Sequence, residues 1–416
     1  MRYGGPLVIV GASYAGLQVA ASAREAGYEG RIILVGAEDR LPYQRPPLSK
    51  GFLSGKVCET DVALRPESFF DAARIELELG AKATALDLAG RSVSLSDGRH
   101  LAFGSLVVAT GSRARRHPAL DGRAGNIRYL RSLDDAKVLR ERLAAAREVV
   151  VVGGGFIGLE VASSIRGLGK EVTLLAAGSR LLPRAVCGEI AGFLLRLHRA
   201  HGVRVELDVV VVGVEVAGEH VRQVHVNNGR SFPCDLVLVG VGADPDVALL
   251  ASAGMCGPDG VPVDQFGRTD HPGIFAAGDC TLHFNRHAGT ILRLESVQHA
   301  IDQAKVVADA LVGRDRSYDA VPRFWSDQYD TKLQMVGLPG DADRRVLRGA
   351  PEEGRFSVLH FSQGRLVCVQ GINRPADVAA GRRLLATGRS PPPALAGDWS
   401  RDLADFLANE APRASA

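Results

Sequence analysis

The stretch Leu7–Ala20, LVIVGASYAGLQVA, decides the fold of this chain, because it joins an apolar run to a helical pattern through a glycine turn. A dinucleotide-binding turn reads G-x-G-x-x-G. Gly11 and Gly16 occupy the first and third glycine positions, and Ser13 occupies the second. The Val/Ile run before the turn predicts a parallel strand that is buried on both faces. A single turn of this kind indicates nucleotide binding only weakly.

A second copy of the turn lies 142 positions further along, in VVVGGGFIGLEVASSIRGLG (residues 150–169). It meets the glycine rule in full, with Gly153, Gly155 and Gly158. Each copy continues into another apolar strand, RIILVG (residues 31–36) and EVTLLA (residues 171–176). The copies share, at the constant offset, Gly11/Gly153, Gly16/Gly158, Leu17/Leu159, Val19/Val161, Ala20/Ala162, Ser22/Ser164, Arg24/Arg166 and Gly27/Gly169.

This duplication predicts two βαβ units of one design, each able to hold a nucleotide. A helix N-terminus presents free N–H groups and the positive end of the helix dipole, and both suit a pyrophosphate. The Cβ of Ser13 narrows the approach to the first turn, although its hydroxyl could donate to a phosphate oxygen. The alternative is a pair of βα turns that bind nothing.

Two further strands end in residues suited to a ligand. Residues 93–112 read as a hairpin with an Asp97-Gly98 turn, followed by a buried strand that ends at residues 109–111. GIFAAGDC (residues 273–280) is another apolar strand, and it ends in Asp279. Open α/β sheets bind ligands at the carboxyl ends of their strands, where this carboxylate could accept hydrogen bonds from a ribityl chain. Alternatively, Asp279 caps the next helix.

The composition is that of a soluble globular protein with two or three domains. The chain has 416 residues, of which 46% are hydrophobic and 23% charged, and its formal net charge is +3. This charge is too small to make nucleic acid or a membrane the expected main partner. No segment is long and apolar enough to span a bilayer, and the first residues run directly into a strand without a signal peptide. We therefore expect a cytoplasmic location.

The six cysteines are scattered, and none forms C-x-x-C or C-x-x-x-x-C. Zinc ligation and a redox-active disulfide are thus disfavoured. We expect buried free thiols, as is usual in a reducing compartment.

Nearly the whole chain resembles the FAD-dependent ferredoxin reductases that serve P450s and ring-hydroxylating dioxygenases. This is the family of putidaredoxin reductase and biphenyl dioxygenase ferredoxin reductase, within the pyridine nucleotide-disulfide oxidoreductase superfamily. RPPLSK (residues 45–50) and FWSDQ (residues 324–328) are specific to this subgroup. The resemblance is also carried by LRPESFF (residues 64–70), YLRSLDDA (129–136), RLESVQHAIDQA (293–304) and INRP (372–375).

The resemblance implies an α/β fold with two Rossmann-like, glutathione-reductase-like domains and a small α+β C-terminal domain. A discontinuous FAD-binding domain would comprise residues 1–115 and 245–320, and an NAD(P)H-binding domain residues 116–244. Residues 321–416 would form the C-terminal domain, which in the family covers the flavin and contributes to partner or dimer contacts. We expect a monomer or a weak homodimer.

FAD would lie on the first copy. The resemblance implies that the backbone of residues 13–15 faces the pyrophosphate, Glu38 takes the adenosine ribose and the Ala83 backbone contacts adenine. The remaining flavin contacts would come from Arg45, Lys50, Arg131, Asp279 and the Val297 backbone. The expected cofactor-binding residues of this part are therefore Ser13, Tyr14, Ala15, Glu38, Arg45, Lys50, Ala83, Arg131, Asp279 and Val297.

The second copy should take the reductant, through Gly155, Ile157, Gly158 and Arg184, with Glu295 near the nicotinamide. An acid at the end of the second strand would bind the ribose of NADH and repel the 2′-phosphate of NADPH. Ala176 stands where the family often has that acid. We expect NADH, with NADPH possible. Ser179, Arg180 or Arg184 could contact a phosphate, or the two arginines could simply face solvent.

The chemistry expected from the resemblance is hydride transfer from nicotinamide to the flavin N5 atom. Lys50 would reach the N5 region, and Glu160 would pair with it to keep it charged. Alternatively, Glu160 only favours its helix N-terminus. Reduced flavin would then pass single electrons to a two-iron ferredoxin.

The pattern changes near residue 321. RFSVLHF and GRLVCVQ (residues 355–370) predict an antiparallel hairpin, and residues 375–388 predict a helix with a Pro start and a Gly stop. We expect SPPPAL (residues 390–395) to end the compact part and residues 410–416 to form a frayed tail. Trp325 would lie near the flavin or serve as an aromatic core residue.

Two other functions compete with this interpretation. A disulfide reductase or cysteine-dependent NADH oxidase of the same fold needs a reactive cysteine where this chain has PPLSK, and Cys58 lies beyond that segment. A flavoprotein resembling apoptosis-inducing factor would have a redox-signalling role.

Overall fold

The computed structural model describes residues 5–407, which divide into two compact units. The first unit consists of residues 5–44, 59–113 and 243–322. The second consists of residues 45–58, 114–242 and 323–407. Residues 45–58, which include RPPLSK, thus belong to the second unit.

The elements are numbered along the whole chain. The strands are β1 (Leu7–Val10), β2 (Ile32–Val35), β3 (Ile75–Glu78), β4 (Ala83–Asp87), β5 (Ser92–Leu95), β6 (His100–Ala102), β7 (Ser105–Val108), β8 (Ser112–Ala114), β9 (Ile127–Tyr129), β10 (Glu148–Val152), β11 (Glu171–Leu175), β12 (Arg204–Glu206), β13 (Val211–Ala217), β14 (His220–Val226), β15 (Ser231–Pro233), β16 (Leu236–Val239), β17 (Ala243–Pro245), β18 (Val261–Pro262), β19 (Ile274–Ala276), β20 (Thr281–Asn285), β21 (Thr290–Leu292), β22 (Arg323–Gln328), β23 (Thr331–Gly337), β24 (Arg344–Ala350), β25 (Arg355–Ser362) and β26 (Arg365–Ile372).

The α-helices are α1 (Tyr14–Glu25), α2 (Glu67–Ala72), α3 (Leu133–Ala145), α4 (Phe156–Gly167), α5 (Gly188–Ala200), α6 (Ala248–Ala251), α7 (Val297–Leu311), α8 (Pro375–Thr387) and α9 (Pro393–Ala396). The 3-10 helices are Pro46–Ser49, Thr60–Val62 and Leu403–Leu407.

A five-stranded parallel sheet in the order β19-β7-β1-β2-β3 forms the centre of the first unit. Every residue of β1, β2, β7 and β19 is buried, because apolar groups cover both faces of the sheet. Helices α1 and α7 cover one face with small residues, among them Ala15, Ala20, Ala300 and Ala304. The predicted hairpin is β5–β6, with Gly98 at φ +86° in its turn.

The second unit repeats this sheet in the order β12-β11-β10-β16-β9, again with parallel pairing. Strand β10 corresponds to β1, and β11 and β12 correspond to β2 and β3. The unit also contains an antiparallel sheet in the order β22-β23-β26-β25-β24, against which α8 packs. The predicted fold class, two Rossmann-like domains and a small α+β domain, is confirmed.

The C-terminal segment extends the compact part beyond residues 390–395, where the sequence predicts that it ends. Ala396 and Leu403 are fully buried, and Phe406 is 8% exposed. The buried guanidinium of Arg348 donates to the carbonyls of Ala396, Asp398 and Arg401 and pairs with Asp377. The expectation that residues 390–395 end the compact part is therefore wrong, because a buried cation needs these carbonyls as partners. The expected tail at residues 410–416 lies outside the described residues.

All six cysteines are free thiols in the described structure. Cys187, Cys234, Cys280 and Cys368 are buried, as expected, whereas Cys58 is exposed. Within residues 5–407, we find no helix with the length and hydropathy needed to cross a membrane.

Candidate active site

The first and third glycines of both turns are required by the backbone. Gly11 and Gly153 both have φ +118°. A Cβ added to Gly11 would lie 2.1 Å from the Ala109 carbonyl oxygen, and one on Gly153 would lie 2.3 Å from that of Gly240. A Cβ on Gly158 would lie 2.0 Å from the Gly153 oxygen, with a matching clash at Gly16. These contacts explain why both copies keep these glycines.

The middle position of each turn has no such requirement. Gly155 has φ −85°, and a Cβ built on it meets only the Gly240 oxygen, at 3.9 Å. Ser13 occupies the equivalent place in an extended conformation, with φ −140°, and its side chain makes no capping hydrogen bond to α1. The fold therefore accommodates serine there, and the Ser13 hydroxyl is not engaged in capping α1.

The starts of α1 and α4 fit an anionic ligand. Tyr14 and Ala15 open α1, while Phe156 and Ile157 open α4. Neither first turn contains an acidic residue; the Ser13 side chain makes no capping hydrogen bond, and Gly155 has no side chain that could make one. The free N–H groups and the helix dipole remain available to the pyrophosphate of a dinucleotide.

In the first unit, Glu38 follows β2 and its carboxylate accepts a hydrogen bond from the Tyr43 hydroxyl, at 2.7 Å. Ala83 is the first residue of β4. Gly278 brings the end of β19 to α1, since a Cβ on it would lie 3.1 Å from that of Ala15. The predicted flavin residues of this unit thus follow the carboxyl ends of its strands or lie on neighbouring elements.

Asp279 accepts a hydrogen bond from the Ser112 hydroxyl, at 3.1 Å. It does not cap a helix, because the chain continues into β20, and Ser296 caps α7 by accepting from the His299 N–H. The alternative role of Asp279 as an N-cap is therefore wrong. Val297 begins α7, and Glu295 contacts the guanidinium of Arg293.

In the second unit, Glu160 and Lys50 form an ion pair with 2.6 Å between Oε2 and Nζ. Glu160 is 4% exposed, and Oε2 also accepts from the Ser49 hydroxyl at 2.5 Å. Its Oε1 accepts from the Ser326 hydroxyl at 2.7 Å. The Lys50 ammonium also donates to the Pro46 carbonyl, at 3.0 Å. Both carboxylate oxygens are satisfied, so the charge can remain buried.

A chain of hydrogen bonds continues from Glu160 through Gln328, His198 and Tyr329, for which the sequence predicts no role in the site. Gln328 donates to Ser326 at 3.0 Å, and its amide oxygen lies 2.9 Å from His198 Nε2. The Tyr329 hydroxyl lies 3.2 Å from His198 Nδ1. Burial lowers the pKa of His198 to about 4, so the imidazole is neutral at pH 7. A neutral ring with its proton on Nε2 lets each donor in this chain point toward Glu160.

The alternation of side chains along FWSDQ, with a period of two, could have indicated two members of this hydrogen-bond chain. Ser326 and Gln328 alternate with Trp325 and Asp327 along β22, and the two polar residues face the interior. Trp325 points the other way and is 39% exposed, so its alternative role as a core residue is wrong. His198 gave no signal in the sequence, because its partners are more than 100 positions away.

The other predicted residues of the second unit include one hydrogen-bonded pair, Arg45 and Arg131, and two exposed side chains, Ile157 and Arg184. Arg45 donates to the Arg131 carbonyl at 2.7 Å, so these two residues are neighbours. Ile157 is 43% exposed at the start of α4. Arg184 is exposed and lines a cavity of about 130 Å³ together with Phe156, Phe324 and Met335.

Comparisons with known proteins agree with this architecture. Residues 5–304 match the pyridine nucleotide-disulphide oxidoreductase family, and residues 323–407 match the reductase C-terminal domain. The chain is 39% identical to a ferredoxin–NAD(+) reductase component of the anthranilate 1,2-dioxygenase system from Burkholderia cepacia. That alignment covers 97% of this chain and 99% of the relative.

Two solved structures are similar over almost the whole chain. A ferredoxin reductase from Rhodopseudomonas palustris is 41% identical, with a TM-score of 0.94, covering 97% of this chain and 99% of that one. The reductase in a covalent putidaredoxin reductase–putidaredoxin complex is 37% identical, with a TM-score of 0.94 and coverage of 98% and 99%. The chain belongs to the pyridine nucleotide-disulphide oxidoreductase family, among the ferredoxin reductases that carry the reductase C-terminal domain.

Proposed function

We propose that this protein is an NADH-dependent ferredoxin reductase with FAD as its resident cofactor. The observation that carries the proposal is the pair of glycine turns, each of which leads from a buried parallel strand into a helix with an uncapped N-terminus. Two such turns suit one resident and one exchanging dinucleotide.

The relatives support this choice of reductant and partner. The Burkholderia relative is named as a reductase that uses NAD(+) in a dioxygenase system. A solved relative is covalently joined to putidaredoxin. By analogy, we infer that this chain passes electrons to a two-iron ferredoxin that serves a P450 or a ring-hydroxylating oxygenase.

We assign the flavin to the turn of the first unit and NADH to that of the second. When bound, FAD would supply an acceptor for hydride and a donor of single electrons. The protein's own task is to hold the nucleotides and to place charge. We propose as flavin-binding residues Ser13, Tyr14, Ala15, Glu38, Arg45, Lys50, Ala83, Arg131, Asp279 and Val297, and as NADH-binding residues Gly155, Ile157, Gly158, Arg184 and Glu295.

Lys50 would present a fixed positive charge to the reacting part of the flavin, and Glu160 would hold that ammonium in place. The hydroxyls of Ser49 and Ser326 orient the carboxylate from both sides. A preorganised charge of this kind favours the electron-rich form of a reacting group without reorganisation during the step.

The decisive experiment measures cytochrome c reduction by NADH with and without an added two-iron ferredoxin. We expect the rate to depend strongly on ferredoxin. Rapid NADH oxidation by oxygen alone would instead identify an NAD(P)H oxidase. Slow oxidation with stable charge-transfer complexes would favour a signalling flavoprotein. A disulfide reductase is disfavoured, because PPLSK (residues 46–50) stands where its reactive cysteine is expected and no two cysteines form C-x-x-C or C-x-x-x-x-C.

A further inference from the structure

The carboxyl end of β11 lacks the acid that selects NADH over NADPH. Such an acid follows the glycine turn by about 20 residues and binds the 2′-hydroxyl of the ribose. In this chain the position belongs to Ala176, which is 3% exposed. A Cβ built on Gly154 of the turn would lie 3.0 Å from that of Ala176 and 3.1 Å from Cδ2 of Leu181. Apolar groups therefore fill the place beside the turn where a carboxylate would stand.

The nearest acid on this edge of the sheet is already neutralised. Glu206 ends β12 opposite Leu175, and its carbonyl accepts from the Ala176 N–H at 2.9 Å. Its carboxylate pairs with Arg204 at 2.8 Å and with Arg230 at 2.6 Å. Hydrogen bonding to Arg230 is the largest cause that lowers the pKa of Glu206. Two guanidiniums on one carboxylate leave a net positive charge at this strand end.

The loop after β11 adds more positive charge. Arg180 donates to the Pro183 carbonyl at 2.8 Å, and Arg184 is exposed. Neither arginine is paired with a carboxylate within residues 5–407. One acid, Asp208, lies beside this loop: its backbone N–H donates to the Gly178 carbonyl at 3.2 Å, and its side chain is exposed. Arginines thus outnumber acids where β11 and β12 end, and a phosphomonoester would be attracted there.

We propose that the nucleotide site of the second unit accepts NADPH as well as NADH, with less than about tenfold discrimination, or about 1.4 kcal/mol. The inference rests on the proposed function and extends it to the class of reductant. NADH and NADPH donate the same hydride and differ only at the 2′-position of the adenosine ribose. The proposal therefore concerns only how the site recognises that position. We choose Arg180 as the candidate contact for the phosphate, because among the arginines of this loop it is nearest to Ala176 in sequence.

The test compares Ala176→Glu with Ala176→Gln, which has the same size but no charge. Two readouts are taken for each protein: calorimetric affinity for 2′,5′-ADP and 5′-AMP, and kcat/KM with NADPH and NADH. In the wild type we expect 2′,5′-ADP to bind at least as tightly as 5′-AMP. The glutamate should weaken 2′,5′-ADP binding relative to 5′-AMP by about tenfold, whereas the glutamine should leave the ratio unchanged. Arg180→Gln, which spares the packed position 176, should lower NADPH use alone.

The proposal fails if the wild type prefers NADH by more than about tenfold, or about 1.4 kcal/mol. It also fails if the glutamate and glutamine variants discriminate equally. Ferredoxin reduction with NADH alone would refute this inference and leave the proposed function intact. Absence of ferredoxin reduction with either coenzyme would refute the proposed function, and the affinities for 2′,5′-ADP and 5′-AMP would still decide the inference.

Discussion

Glu160 shows how much chemistry can depend on the surroundings of one residue. Its position in α4 is buried among apolar neighbours, and an isolated carboxylate there would be costly. Lys50, Ser49 and Ser326 remove that cost by supplying three donors to its two oxygens. The role of Glu160 in its helix is therefore more than a favourable interaction with the dipole. It places a lysine ammonium at a defined point.

Replacing Lys50 by methionine should slow flavin reduction by NADH about tenfold or more, with a smaller change in the affinity for NADH. The reason is the loss of a fixed charge worth about 1.4 kcal/mol or more to the reacting state. Anaerobic stopped-flow measurements of flavin bleaching give both quantities. Lys56→Met is the matched control, because Lys56 is exposed. An unchanged rate in the Lys50 variant would remove this residue from the mechanism.

Two stacked histidines in the first unit make its stability depend on pH. The rings of His283 and His299 lie 4.9 Å apart, with Tyr318 against both. Burial lowers the pKa of His283 to about 4 and that of His299 to about 3. An unfolded histidine has a pKa near 6.5, so the native state binds fewer protons than the unfolded chain below that pH. The two neutral histidines therefore contribute fully to the free energy of unfolding above pH 6.5, and this contribution is lost as the pH falls toward 4.

We therefore expect the lowered pKa of His283 to reduce the unfolding free energy by about 3 kcal/mol when the pH falls from 7 to 4. In urea unfolding at several pH values, the unfolding free energy of His283→Phe should decrease less on acidification than that of the wild type. His271→Phe serves as the control, since His271 is exposed in the same unit. Equal slopes for the wild type and His283→Phe would contradict the assignment.

At the scale of elements, the strand–turn–helix unit has two kinds of glycine position: two that the backbone geometry requires to be glycine, and one that it does not. The first and third glycines meet carbonyl oxygens so closely that no side chain fits. The middle residue is extended in both copies, and a Cβ built on Gly155 meets only the Gly240 oxygen, at 3.9 Å. Ser13 therefore departs from the motif without disturbing the fold.

The two kinds of glycine should respond differently to substitution. Gly158→Ala should destabilise the protein by about 3 kcal/mol, because its Cβ would overlap the Gly153 carbonyl. Gly155→Ser should change stability by less than about 0.5 kcal/mol and should weaken nucleotide binding. Thermal unfolding and calorimetric titration with 5′-AMP measure the two effects. Equal loss of stability in both variants would contradict the presence of open space beside residue 155.

At the scale of the whole molecule, the chain uses one design twice and gives each copy different surroundings. Glu38 and Asp279 follow strands of the first unit, whereas Ala176, Arg180 and Arg184 follow a strand of the second. Because the two turns are alike, we expect these different strand-end residues to distinguish the two proposed nucleotides.

Flavin should stabilise the folded chain by mass action. At a hundredfold excess over its dissociation constant, FAD should add about 2.7 kcal/mol to the unfolding free energy of the deflavinated protein. Riboflavin is the control ligand, since it has neither the pyrophosphate nor the adenosine that the first turn and Glu38 would hold. Thermal unfolding with each ligand makes the comparison. No rise with FAD, or an equal rise with riboflavin, would contradict the assignment of the first turn.

The amino-acid sequence by itself determined the duplicated βαβ design, the buried parallel strands and the glycines of the turns. These features depend on local sterics and on short-range periodicity, which are visible within about 20 residues of chain. The C-terminal hairpin and α8 were predictable for the same reason.

The tertiary structure alone decided what surrounds the reactive groups. Glu160 meets Ser49 and Ser326 across 111 and 166 positions, and Arg348 holds a segment that a run of prolines had suggested to be outside the compact part. The neutralisation of Glu206 by Arg204 and Arg230 likewise depends on neighbouring strands. Such contacts depend on how distant elements pack, and no periodic pattern in the chain encodes them.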